Sequence, residues 1–71
     1  MSETPATDEL KTRIKKLAYE ASQLKLDLHD LTEELPIGWE QIMQVAERTY
    51  KKYADLAAAK QQLKDLESAA G

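Results

Sequence analysis

Leu10, Ile14, Leu17, Ala21, Leu24, Leu28, Leu31 and Leu35 follow one another at alternating spacings of four and three residues, and the run stops at Pro36-Ile37-Gly38-Trp39. A second run follows: Ile42, Val45, Thr49, then Tyr53 one place out of register, then Leu56, Ala59, Leu63 and Leu66. Residues recurring every ~3.5 positions line one side of a helix, and that side needs a facing helix to leave water. Nearly all the apolar content is thereby committed to helix-on-helix packing, with little left over for a catalytic pocket. The pattern is that of an interaction module.

Length sharpens this reading. A chain of 71 residues is one domain at most, and below roughly 70–80 residues a single core rarely supplies more than ~3–5 kcal/mol. With no cysteine there is neither a disulfide framework nor a thiolate metal site to staple the fold. Oligomerisation is the remaining common solution, so two hairpins pairing as a four-helix bundle are expected. The apolar runs fall far short of the ~20 residues needed to span a bilayer. Met1 to Glu9 has no basic segment followed by an apolar one, so no signal peptide is expected, and a cytoplasmic location follows as an expectation. The net charge of −3 argues against nucleic acid or an anionic membrane as partner, since both favour a strongly basic face.

Helix boundaries follow from local chemistry. Residues 1–6 are expected to be a mobile tail; Pro5 is tolerated in a first turn, and Thr7 with Asp8 and Glu9 offers a cap and dipole-compatible acids. Helix 1 is predicted over about 7–35, because a residue before proline is driven out of the helical region. The connection is predicted over 36–39, where Pro36 second and Gly38 fourth in a turn that starts at Leu35 suit type I. Helix 2 is predicted over about 40–67, and residues 68–71 are expected to fray. So short a connection makes the two helices antiparallel neighbours. The fold class is all-α: an antiparallel hairpin that homodimerises.

Two features lie outside the seams. Tyr19 and Leu26 are seven apart in helix 1, and Met43 and Tyr50 are seven apart in helix 2. With Trp39 they are candidates for a partner or higher-assembly surface, or else single exposed apolar residues of the ordinary kind. Trp39 has two readings, a cap over Leu35 and Ile42 or an aromatic anchor for a partner. Charge is also uneven. From Leu26 to Glu47 there are six acids and no lysine or arginine, while the rest of the chain holds all ten basic residues against seven acids. In an antiparallel dimer each acidic tip would lie beside the partner's basic end, which selects orientation more than it adds stability. The alternative is an acidic tip that docks a basic partner or a cation.

Catalytic and metal chemistry find little support. His29 is the only histidine, and with Glu33 four residues on it forms at best a weak metal candidate; no metal or cofactor is expected. Ser22, Thr32 and Ser68 have no histidine placed by helical spacing to activate them. No enzymatic activity is expected.

The segment LDLHDLTEELPIGWEQIMQVAERTYKKY, Leu26 to Tyr53, carries a more specific signal. Leu28-His29-Asp30-Leu31, Leu35-Pro36-x-Gly38-Trp39, Ile42-Met43-x-Val45-Ala46 and Thr49-Tyr50 followed by Tyr53 resemble the small Rop-like proteins associated with NifX, encoded among nitrogen-fixation genes. The resemblance implies a cytoplasmic accessory protein of nitrogen fixation, folded as a helical hairpin paired into a four-helix bundle. Its gene context implies support of nitrogenase maturation by an adaptor rather than a thiolate scaffold, since there are no thiolates. The Rop-like label also brings in an RNA-binding alternative, for which Arg48, Lys51 and Lys52 near Tyr50 and Tyr53 are the nearest approach to a basic, aromatic stripe.

Overall fold

The computed structural model describes residues 5–70. Helix α1 runs Pro5–Glu33 and helix α2 runs Ile42–Ala70, with a turn and one 3-10 turn, Trp39–Gln41, between them. Among the described residues there is no strand. The hairpin measures 53 × 15 × 13 Å. Its radius of gyration is 16.1 Å, against about 11 Å for a compact chain of this length. This is a rod two helices wide.

The boundaries depart from the predicted ones by a few residues. α1 takes in Pro5 and Ala6, because proline in the first turn lacks only an N–H that would have no intrahelical partner there. Residues 1–4 of the expected tail lie outside the described residues. At the other end, Glu34 N–H donates to Leu31 O at 3.2 Å and Leu35 N–H to Thr32 O at 3.4 Å. These bonds span three residues, so the last turn tightens before Pro36 instead of continuing to Leu35. α2 reaches Ala70, beyond the end predicted near residue 67, and Gly71 lies outside the described residues. Alanine is the strongest helix former, and Ala69 and Ala70 carry the helix onward.

The connection is built from two overlapping turns, not one type I turn. Ile37 N–H donates to Glu34 O at 3.0 Å, and Trp39 N–H to Pro36 O at 3.3 Å; the Leu35–Pro36 bond is cis. Pro36 is therefore third in the first turn, and Gly38 third in the second. Gly38 has φ 78° and ψ 12°, the left-handed geometry that a type II turn requires at its third position. Gln41 N–H then donates to Gly38 O at 2.9 Å and opens the 3-10 turn that feeds α2.

The core is small. Leu17, Ala21, Leu56 and Ala59 are buried, and Leu10, Ile14 and Ala18 pack against them. Ala21 is fully covered; its short side chain lets the two backbones approach at mid-hairpin. Level with Leu24, Thr49 occupies a seam position without an orphan hydroxyl. It donates to its own Val45 O at 2.8 Å and sits 3.5 Å from Leu24 O of the facing helix.

Candidate interaction surface

Each residue turns ~100° around an α-helix, so the positions just before and just after a seam open on opposite sides of the hairpin. One flank is charged. A shallow groove beside Leu24 is lined by Arg48, Lys51, Lys52 and Asp55. Another at the open end joins Leu10 and Arg13 of α1 to Gln62, Asp65 and Leu66 of α2. These linings place the two sets on the same side. The opposite flank carries Lys11, Ala18 and Lys25 on α1 and Ala46 and Tyr53 on α2, with Met43 and Tyr50 one step further out and Trp39 in the 3-10 turn just before α2. Trp39 is 61% exposed, Met43 78% and Tyr50 76%.

The 3-10 turn and α2 together therefore carry a second seam. Trp39, Met43, Ala46, Tyr50, Tyr53 and Ala57 recur at spacings of four, three, four, three and four. The spacing was legible in the sequence, yet Tyr53 there reads as a slip in the first seam. In the structure the first-seam position belongs to Lys52. Its Nζ lies 3.1 Å from Glu20 Oε1 of α1 and closes the charged side of the core.

Within one chain the expected core is only partly covered. Leu17 and Leu56 are buried, while Leu10, Ile14, Leu24, Leu28, Leu31, Ile42, Val45, Thr49 and Leu63 are half-buried. Leu35 and Tyr53 remain 40% exposed and Leu66 42% in the single chain. The physical reason is that a single facing helix covers only part of a seam's arc. Tyr19 and Leu26 are exposed as well, but they lie opposite the α1 seam, on the outer edge of the hairpin. They do not join Met43 and Tyr50 in one stripe, so the five candidates divide between two faces.

His29 is solvent-facing, with Nε2 3.1 Å from Glu33 Oε1 and Nδ1 3.8 Å from Asp30 Oδ1. Among the described residues no three His, Asp or Glu side chains gather to hold a metal ion. The Thr32 hydroxyl donates to His29 O at 2.8 Å, a local bond of the helix end. No helix among the described residues is long and apolar enough to cross a membrane.

The Glu20–Lys52 pair is partly exposed, at 29% for Lys52 and 37% for Glu20. Pairs of this kind are worth ~0–1 kcal/mol. Glu20→Gln is expected to cost less than about 1 kcal/mol in a thermal melt. A larger loss would mean that the pair, and not the apolar seam, holds the helices in register.

The chain is a narrow two-helix hairpin with one charged flank and one flank of exposed aromatic side chains. The Rop-like family model matches residues 6–68, and the chain belongs to that family. A UPF0437 protein of Nostoc is 48% identical over 67 residues, which cover 94% of this chain and 94% of the relative. A protein of Frankia alni, described as a UPF0437 protein in the nifX-nifW intergenic region, is 60% identical over 45 residues, 63% of this chain and 55% of the relative. An NMR structure from the Northeast Structural Genomics Consortium, target McR1, is 48% identical with a TM-score of 0.81, over 96% of this chain and 93% of that one.

Proposed function

We propose that this chain is a non-enzymatic accessory protein of nitrogen fixation that works as a homodimeric four-helix bundle and presents helix surfaces to a partner protein. The carrying observation is the set of exposed apolar side chains on two faces of the rod, Tyr19 and Leu26 on one and Met43 and Tyr50 on the other. The Frankia relative's position between nifX and nifW supports the biological setting. Support of nitrogenase maturation in the cytoplasm is the role this combination fits best.

Tyr19 and Leu26, on the outer edge of α1, stay open when a second hairpin covers the seams, so they form the adaptor surface in this reading. Exposed sites of this kind change stability by no more than about 0.5 kcal/mol. The double variant Tyr19→Ser with Leu26→Ser is therefore expected to keep the helicity and melting of the parent. In affinity capture from nitrogen-fixing cells, the parent should retain a nitrogen-fixation protein that the double variant loses. Capture of none by the parent would sink the adaptor reading.

RNA binding is the weaker alternative. Arg48, Lys51 and Lys52 lie on the charged flank, where Lys52 is already paired with Glu20. Tyr50 and Tyr53 open on the other flank, so these five residues do not form the single basic and aromatic stripe such binding uses.

A further inference from the structure

We infer that the aromatic flank of α2 is the surface covered by a second copy of this chain, with the two hairpins stacked in opposite directions so that α2 lies on the partner's α2 and the two Tyr53 side chains meet at the centre. This rests on the homodimer reading and specifies its face and orientation, which dimerisation alone leaves open.

The area argues for a cover of this size. The chain exposes 5705 Å², whereas a compact monomer of 8.0 kDa exposes about 4,450 Å². The excess exceeds the ~800 Å² that each partner loses in a standard stable interface. The side chains argue for the face. On the charged flank, Glu20, Arg48, Lys51 and Asp55 would each have to leave water, which is costly for charges without new partners. On the other flank, Trp39, Ala46 and Tyr53 sit beside the half-covered seam and would extend it. Large aromatic residues are those that gain most from burial.

Charge argues for the occupant and its direction. The aromatic flank divides by halves: Trp39, Met43, Ala46 and Tyr50 near the turn, then Lys60 and Lys64 on α2 towards the open end. Leu24 pairs in level with Thr49 and Glu20 with Lys52, so Tyr53 lies near the midpoint of the described hairpin. Turning a second copy end for end about that midpoint brings Lys60 level with the partner's Ala46, and Lys64 level with the partner's Ile42. The lysine stems would then lie along the partner's apolar seam while their ammonium groups reach towards Glu40 and Glu47 of the tip. The opposite stacking, turn against turn, would bring two clusters of six acids together.

The chain lacks cysteine, so cross-linking reads this geometry directly. Tyr53→Cys is expected to form an intermolecular disulfide under mild oxidation at least tenfold faster than Asp55→Cys, with circular dichroism confirming that both fold. Ala46→Cys combined with Lys60→Cys is a second route, because those positions are about 21 Å apart along one helix and can link only between chains. Fast linking at position 55 and not 53 would move the interface to the charged flank while leaving the dimer standing. A wild-type dimer in sedimentation with neither set linking would overturn both the face and the orientation. A wild-type chain sedimenting at 8.0 kDa at micromolar concentration would defeat the dimer itself. If that monomer shifted on adding RNA, the RNA-binding reading would replace the dimer.

Discussion

Replacing Leu56 with aspartate is expected to unfold the chain. Leu56 is one of four buried apolar residues among the described ones, packed with Leu17, Ala21 and Ala59. Truncating a buried leucine to alanine costs ~2–5 kcal/mol through lost transfer energy and the cavity left behind. Aspartate adds the cost of a buried carboxylate with no partner, since no cation belongs to that cluster. Against a total of ~3–5 kcal/mol for a chain this small, the sum leaves nothing. Far-ultraviolet circular dichroism should show most of the helical signal gone at 25 °C. An exposed control, Ala54→Asp two residues earlier, should retain it. If Leu56→Asp melted cooperatively within a few degrees of the parent, the mid-hairpin cluster could not be the main source of stability.

The second large effect is expected at Gly38. Its φ of 78° lies in the left-handed region, which costs a residue with a β-carbon roughly 1–2 kcal/mol. A β-carbon there would also come within 3.1 Å of Leu31 Cδ1. That contact matters less, because the end of a leucine side chain can move aside. Stiffening the unfolded chain returns ~0.4–1 kcal/mol for Gly→Ala, so the net loss should be on the order of 1 kcal/mol. For a domain of this size 1 kcal/mol lowers the melting temperature by about 4–8 °C. Gly38→Val should cost more than Gly38→Ala, because a branched side chain fits that region less well. Gly38→Asn should cost less than either, since asparagine tolerates left-handed geometry. Equal losses for all three would indicate that crowding against Leu31, not backbone geometry, selects glycine.

The contrast between these sites shows what kind of information each carries. Leu56 belongs to a period, and a period survives in the letters of the sequence. The role of Gly38 depended on which residue stands third in a turn, and a shift of one place changed the turn type. Sequence reading placed Gly38 fourth in a type I turn. Only the backbone bonds of Glu34 with Ile37 and Pro36 with Trp39 show two successive turns.

Tyr53 illustrates the same limit on a surface. Taken alone, it is a seam residue displaced by one position. Its membership of a second seam with Trp39, Met43, Ala46 and Tyr50 becomes evident when Lys52 is seen turned towards Glu20. Two seams one residue apart share many spacings, so periodicity without a partner helix does not separate them. The outer candidates divide for a related reason. Spacing in sevens puts Tyr19 beside Leu26, and Met43 beside Tyr50, but carries no information on how one helix is rotated against the other.

By itself, then, the amino-acid sequence determined that this chain forms two amphipathic helices broken at Pro36 and folded back on each other. Heptad spacing and proline chemistry are local properties and survive without a third dimension. Tertiary structure alone decided which residues share a level, as Leu24 does with Thr49 and Glu20 with Lys52, and which flank of the hairpin is charged and which aromatic. Those features depend on the relative rotation and offset of two packed helices. They are set by how Leu17, Ala21, Leu56 and Ala59 interlock across the interface, which no single helix encodes.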